Sequence, residues 1–205
     1  MGLNTEEVRR KSKEEITAHL SSLHLGMKRK SVDIKPYQSE WQAAFEWVKN
    51  KIESFLPAEL LFRIEHVGST SIPGLSSKLI LDVLAIFENR SELEASIPWF
   101  EKLGFTYKGD AVSRINQAEA DPNRHFFSFY DNEETTDFVH LHVFCSGHPH
   151  INRFLIFRDA LRADQSLVEK YQALKMALWK EGKARGEYTR SKDGFIRGIV
   201  EGCHK

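Results

Sequence analysis

The clearest pattern along the chain is a helical one that begins at Ser39. Residues Ser39–Gln42 match a capping box, which predicts the start of a helix, and Pro57 predicts its end. Apolar residues then recur at spacings of four and three, which place them on one helical face. These positions are Trp41, Phe45, Val48, Ile52 and Phe55. We interpret this face as one that packs against a core.

Short apolar runs after this helix predict strands. Residues 60–67 form the first run, a Gly-Ser-Thr-Ser sequence at 68–71 interrupts it, and residues 79–87 form the second. The second run is apolar at every position except Asp82, as expected for a strand in the middle of a covered sheet. Further strands are predicted at 105–107 and, as a hairpin with an acidic loop, at 124–130 and 138–145.

The remaining patterns are mostly helical. Helices are predicted at about 5–25, from a capping box at Ser91 to Gly104, at about 151–163, from a box at Ser166 onwards, and around Phe195–Ile199. The order of elements predicts an α+β fold with a small mixed sheet, flanking helices mainly on one face and a helical C-terminal third. Residues 1–30 have few apolar positions, so we predict an appended N-terminal helix and linker before one main domain at 31–205. Polar residues 108–123 are predicted to be a loop.

The composition narrows the class of protein. The chain has 205 residues, with 29 Lys and Arg against 29 Asp and Glu, so no overall charge attracts it to nucleic acid or to membranes. Two cysteines are too few for a disulfide framework or a multi-thiolate zinc site. No apolar run is long enough to cross a bilayer. We therefore expect a soluble, cytoplasmic protein with no membrane partner, and nucleic-acid binding is not favoured.

The segment between the first two predicted strands carries the most specific chemistry. Gly68 lets the backbone approach a ligand closely, and Ser69 and the amides that follow, Thr70 included, can donate to phosphate oxygens. Lys78 can neutralise phosphate charge. Asp82 is a carboxylate in an apolar strand, which is costly unless it is paired or binds a metal. The alternative interpretation is a serine-capped turn, with Asp82 in an ion pair with a core cation.

At this segment the sequence resembles a known family. The run IEHVGSTSIPGLSSKLILDVL, which starts at Ile64, is similar to the signature of the GrpB proteins, the UPF0157 family. Later fragments are similar to the same family in the same order: RHFF, HLHVF, FRDALRA, YQALK and YTRSKDGFI. The resemblance covers about 32–200. It implies the nucleotidyltransferase-like fold of the polymerase-β palm, with a mixed sheet and flanking helices.

The resemblance also implies a chemistry. In the nucleotidyltransferase superfamily a Gly-Ser turn holds a triphosphate, and acids on the next strand bind two divalent metal ions. Gly68 and Ser69 match the turn, and Asp82 matches the first acid, so Asp82 is expected to be catalytic and to bind Mg²⁺. The second acid position is Leu84, which cannot bind a metal and departs from the family pattern.

Other residues are candidates for the incomplete metal site and for the ligand. The superfamily also has a third acid on a neighbouring strand. His140 and His142 share a strand face near that position, and we expect them to bind metal beside Asp82. Glu65 is a second candidate catalytic carboxylate, and the neighbouring His66 faces the opposite side of its strand. The expected nucleotide- and phosphate-binding residues are Gly68, Ser69, Thr70, Lys78, Arg158, Lys175 and Lys192.

Three hypotheses for function follow. The first is a protein that binds a nucleotide with Mg²⁺ and transfers a nucleotidyl group to an unknown acceptor. The second is a catalytically degenerate module that binds a nucleotide or another phosphorylated small molecule, because Leu84 replaces the second acid. The third is a zinc hydrolase that uses His140 and His142, with a second pair at His148 and His150. The oligomeric state stays open.

Overall fold

The computed structural model describes residues 4–109 and 121–203 of the chain, and the protein folds around one mixed sheet. The strands are β1 (Met27–Lys28), β2 (Phe62–Val67), β3 (Leu81–Phe87), β4 (Thr106–Tyr107), β5 (Arg124–Tyr130) and β6 (Thr136–Cys145). Their order is β2-β3-β6-β5-β4, and β1 pairs with the beginning of β6. Only β3 and β6 pair in parallel among the described strands. The predicted strands and hairpin are confirmed, and residues 110–120 of the predicted 108–123 loop lie outside the described residues.

Helices precede, connect and follow these strands. They are α1 (Thr5–Ser22), α2 (Glu40–Phe55), α3 (Arg90–Lys102), α4 (Pro149–Ala163), α5 (Gln165–Lys180), α6 (Arg185–Arg190) and α7 (Asp193–Gly202). A single 3-10 turn, Ser69–Ser71, follows β2.

Three of the predicted helix caps were wrong in detail. Ser39 has helical backbone angles and makes no capping hydrogen bond, so α2 begins without the predicted box. The caps of α3 and α5 are Asn89 and Asp164, which precede the predicted Ser91 and Ser166. Both residues have extended backbone angles, and their short side chains accept from amides of the first turn.

One face of the sheet carries the main core. Alternate residues of the two central strands, such as Val83 and Leu141, pack there against α2 and α3. Helix α1 joins the same cluster through Ile16 and Leu20, which are 3% and 0% exposed. The apolar face of α1 is therefore short but packed into the core, whereas its few apolar positions predicted only an appended helix.

The opposite face of the sheet is partly covered by α4. Leu84, Ile86 and Phe144 project from this face and pack against Ile151 of α4. Helices α5 and α7 extend this layer. Together with α4 they pack against the loop that follows the 3-10 turn. Helices thus lie on both faces, which corrects the prediction of a mainly one-sided arrangement, because the apolar residues on the second face also need cover. No helix in the described part of the chain is long and apolar enough to cross a membrane.

Candidate functional site

The predicted Gly-Ser turn lies directly against Asp82. Strand β2 ends at Val67, which is the register partner of Asp82 on β3. Gly68 has a φ of +70°, and a Cβ there would lie 2.8 Å from the Cβ of Asp82. Any side chain at this position would collide with the carboxylate, so only glycine permits the close approach. The hydroxyl of Ser71 donates to the Gly68 carbonyl at 2.7 Å and closes the turn.

Two arginines of α4 hold the two ends of this turn. Arg162 donates twice to the carbonyl of Ser71, at 3.0 and 2.8 Å. Arg158 donates to the carbonyl of His66 at 3.1 Å and to the carboxylate of Glu65 at 2.9 Å. Glu65 and Arg158 are therefore paired with each other. Their predicted roles, as a catalytic carboxylate and a phosphate ligand, stay predictions.

His66 and Thr70 tie the turn to the core face. The hydroxyl of Thr70, a residue that is 2% exposed, bonds to Nε2 of His66 at 3.0 Å. The His66 ring stacks on Phe45 at 4.5 Å between centroids. Burial, together with the charge of Arg162, lowers the pKa of His66 to about 3. The Thr70 side chain is thus engaged inside the protein, which leaves its backbone as the part that can meet a ligand.

Asp82 belongs to a network that continues through the neighbouring strand. Nδ1 of His140 lies 3.2 Å from Oδ1 of Asp82, and Arg185 of α6 donates to Nε2 of the same ring at 3.0 Å. Because arginine can only donate, Nε2 accepts and the ring proton lies on Nδ1, where it points at Asp82. Arg185 also pairs with Asp137 at 2.5 Å. His140 therefore has both ring nitrogens engaged.

The charges in this network follow from the geometry. Burial alone would raise the pKa of Asp82, but the hydrogen bond with His140 and the nearby ring of His142 hold it well below its usual range. Burial lowers the pKa of His140, and the charges of Lys78 and Arg185 act in the same direction. Asp82 is thus a carboxylate beside a neutral imidazole. Its side chain is 28% exposed, so a ligand can reach it from solvent.

The residues fit the predicted two-metal centre poorly. Nε2 of His142 lies 3.7 Å from Oδ1 of Asp82, but His140 is already bonded on both nitrogens. Leu84, at the second acid position, is 0% exposed and sealed in the apolar cluster under α4. Within residues 4–109 and 121–203, no group of three or more His, Cys, Asp or Glu side chains is arranged to hold a metal ion. Asp82, beside Gly68, is the one carboxylate of this group with access to solvent, and its predicted role as a metal ligand stays a prediction.

The second histidine pair lies elsewhere, which removes support for a zinc hydrolase. His148 bonds to Asp121 at 2.8 Å, and Arg124 donates to His150 at 2.9 Å. These residues line a surface cavity of about 600 Å³ at the start of α4. Neither Asp82 nor His140 lines that cavity, so the two histidine pairs do not form one site.

Three lysines lie within electrostatic reach of Asp82. Lys175 and Lys192 are 2% and 9% exposed, and Lys78 is half-buried. The charge of Asp82 acts on all three ammonium groups. Burial and mutual repulsion lower the pKa of Lys175 well below its usual value and that of Lys192 to about 7. Burial also lowers the pKa of Lys78.

The C-terminal helices position these lysines. Burial raises the pKa of Tyr171 in α5, and the side chain of Ser69 in the turn acts in the opposite direction. Lys175, one turn later, donates to the carbonyl of Ser76 and lies 5.4 Å from the Tyr171 ring centroid. Lys192 lies 4.4 Å from the centroid of Tyr188, a residue that is 0% exposed. The structure therefore brings predicted residues of the C-terminal helices close to the segment between β2 and β3.

Sequence reasoning missed Arg185 and Asp137. Both lie outside the periodic patterns, and Arg185 meets His140 only because α6 folds back over 45 residues of chain. No local signal distinguishes Arg185 among the 29 Lys and Arg residues.

The candidate site of this α+β protein combines the turn at Gly68, the carboxylate of Asp82 and the side chains of Lys78, Lys175 and Lys192. The model of the family described as GrpB protein matches residues 31–202, and the chain belongs to this family. It is 32% identical over 172 residues to a UPF0157 protein of Halalkalibacterium halodurans, covering 83% of this chain and 82% of that protein. It is 33% identical over 190 residues to the UPF0157 protein YqkA of Bacillus subtilis, covering 91% of this chain and 51% of YqkA. The chain thus spans about half the length of YqkA.

Solved structures agree with this assignment. The crystal structure of the conserved protein GrpB from Enterococcus faecalis matches with a TM-score of 0.68 and 27% identity, covering 82% of this chain and 95% of that one. The predicted family and the α+β fold with a mixed sheet are confirmed. The fold also resembles that of Cid1 poly(U) polymerase with Mg 3′-dATP bound, with a TM-score of 0.48 and 12% identity over 85% of this chain and 48% of that one. This likeness concerns the fold alone.

Proposed function

We propose that this protein binds a phosphorylated small molecule between the turn at Gly68, Asp82 and the lysines of the C-terminal helices. The observation that carries the proposal is that three lysines, Lys78, Lys175 and Lys192, lie within electrostatic reach of a single carboxylate, Asp82. The family resemblance favours a nucleotide among such molecules.

The charge balance supports an anionic ligand. Asp137 is already paired with Arg185 and, at 3.4 Å, with Arg29. Lys78 and Lys192 have no hydrogen-bond or ion-pair partner among the residues that the structure describes. Burying unpaired cations together is costly, and a phosphate group that accepts from them would offset that cost.

Asp82 has two possible parts in such a site. A Mg²⁺ ion that arrives with phosphates often uses only one or two protein carboxylates, so Asp82 alone is sufficient for that role. Its Oδ2 lies directly against Gly68, where even a Cβ would collide with it, so the carboxylate packs on the turn itself. Without a metal ion, Asp82 instead limits the excess positive charge of the lysines.

The test is a thermal-shift titration with pyrophosphate, ATP, GTP, CTP and UTP, each with and without Mg²⁺. A ligand at ~100 times its Kd adds about 2.7 kcal/mol to the free energy of unfolding. The double variant Lys78→Gln/Lys192→Gln is expected to lose at least about tenfold in affinity, the equivalent of ~1.4 kcal/mol. The control Lys170→Gln/Lys180→Gln removes the same charge from exposed positions of α5 and should bind normally.

The outcomes separate the alternatives. If none of these ligands stabilises the protein, or if the control variant loses as much affinity, the proposal is wrong. Loss of a Mg²⁺-dependent shift in Asp82→Asn would support Asp82 as a metal ligand. Tighter binding by Asp82→Asn without Mg²⁺ would support its role as a counter-charge.

Nucleotidyl transfer is a second candidate, favoured by the close contact between Gly68 and Asp82 that the superfamily pattern requires. The apolar surroundings of Leu84 weigh against it. Release of pyrophosphate from one of the four triphosphates, lost in Asp82→Asn, would establish turnover.

A further inference from the structure

Lys192 differs from the other two lysines of the site. Lys175 donates to the carbonyl of Ser76, so its ammonium group has a fixed partner. Lys78 is influenced by two carboxylates, Asp82 and Asp137, which favour its charged form. Lys192 is 9% exposed, has no hydrogen-bond or ion-pair partner in the described ranges, and lies over the face of Tyr188.

These surroundings suit a lysine that reacts through its neutral amine. A lysine becomes nucleophilic when it is desolvated and placed beside other cations, because both effects disfavour the ammonium form. The charge of Lys78, in the segment before β3, disfavours the ammonium form of Lys192, and the charge of Asp82 opposes this effect. The ring of Tyr188 in α6 lies against the Lys192 amine. The hydroxyl of Tyr188 is buried without a hydrogen-bond partner in the described structure. Lys192 thus has an amine in an apolar and cationic setting beside the proposed phosphate site.

We propose that Lys192 is a nucleophilic lysine that forms an imine with a phosphate-bearing aldehyde bound in this site. The Nζ lone pair attacks the aldehyde carbon, a C–N bond forms, and the carbonyl oxygen becomes a hydroxyl. That oxygen then leaves as water with both hydrogens of the amine, and the C=N bond remains. No oxidant or reductant takes part. The inference rests on the proposed function, because Lys78 and Lys175 would hold the phosphate of the aldehyde. Lys192, which in its charged form contributes to the binding of other phosphates, gives up its proton here and meets the carbonyl group.

The test uses pyridoxal 5′-phosphate as the probe, with reduction of the imine by borohydride and peptide mapping by mass spectrometry. We expect about one label per chain, at Lys192, with pyridoxal reacting at least about tenfold more slowly because it has no phosphate. Lys192→Arg keeps the charge and should lose the label, whereas Lys170→Arg on the exposed face of α5 should keep it. The labelling rate should level off above about pH 7, because the pKa of Lys192 is about 7. An exposed lysine would become more reactive up to pH ~10.

The possible results distinguish the imine proposal from the proposed phosphate site. Labelling that spreads over exposed lysines, or that persists in Lys192→Arg, overturns the assignment of Lys192. If pyrophosphate binds by calorimetry and Lys192 stays unlabelled, the imine proposal fails and the phosphate site stands. If pyridoxal and its phosphate label Lys192 equally and pyrophosphate gives no protection, the phosphate-bearing substrate class is wrong. Protection by pyrophosphate of a label confined to Lys192 supports both proposals.

Discussion

The two faces of strand β3 show how one strand serves both a core and a site. Val83 and Ala85 point to one face, where both are 0% exposed and pack in the main cluster with α2 and α3. Asp82 and Leu84 point to the other face, and they differ from each other. Asp82 is open to solvent and bonded to His140, whereas Leu84 is sealed under α4.

The polar site is therefore confined to one end of the β3 face that carries Asp82 and Leu84. Two residues along the strand, about 7 Å, separate a reachable carboxylate from a closed apolar contact. A second acid on this face would have to lie in that contact, so the fold leaves space for one carboxylate beside the turn. On the core face, no change from a polar to an apolar position occurs along the paired segments of the central strands.

The largest expected effect comes from placing an acid at Leu84. Leu84→Asp should reduce the free energy of unfolding by about 4 kcal/mol, because it buries an unpaired carboxylate and removes apolar contacts. Val83→Asp on the core face should cost as much. Leu84→Met, which preserves volume, should cost less than about 1.5 kcal/mol in the same urea titrations. A stable Leu84→Asp protein with tighter Mg²⁺ binding would show that this position opens into the site.

A second test concerns His66, which lies on the core face behind the turn. Its pKa is about 3 in the folded protein and would be ~6.5 when unfolded, so between these values only the unfolded chain takes up the proton. Falling pH therefore lowers stability, by about 2 kcal/mol between pH 7 and pH 5. His66→Gln should lose this part of the pH dependence in urea titrations at the two pH values. An unchanged slope would mean that His66 is protonated in the folded state.

The sheet was predictable from sequence because its signals are local. Apolar runs broken by turn residues define β2 and β3, and the acidic loop between two apolar runs defines the hairpin of β5 and β6. The caps were less predictable because short polar residues compete within two positions, as Asn89 does with Ser91. The packing of α1 was missed because two buried apolar residues, Ile16 and Leu20, can be enough when they enter an existing core.

The centre of the site was predictable for the same local reason. An acid in an otherwise apolar strand is conspicuous, and Gly68 precedes it in a recognisable turn. The assignment of partners was not predictable from local patterns. The pairing of Arg158 with Glu65 spans 93 residues, and that of Arg185 with His140 spans 45. Such pairs depend on how α4 and α6 return to the sheet, which residue spacing does not encode.

The smallest effect compares two buried hydroxyls, one directed to each face. Thr70 is bonded to His66, and Thr70→Val should cost about 1–2 kcal/mol because it leaves a buried ring nitrogen without its partner. Ser128, the register partner of His140, is 7% exposed, and its hydroxyl has no hydrogen-bond partner in the described residues. Ser128→Ala should therefore change stability by less than about 0.5 kcal/mol, measured by urea unfolding. A loss of 1 kcal/mol or more would reveal a partner for this hydroxyl. Unchanged stability with weaker pyrophosphate binding would instead extend the ligand site from Asp82 to β5.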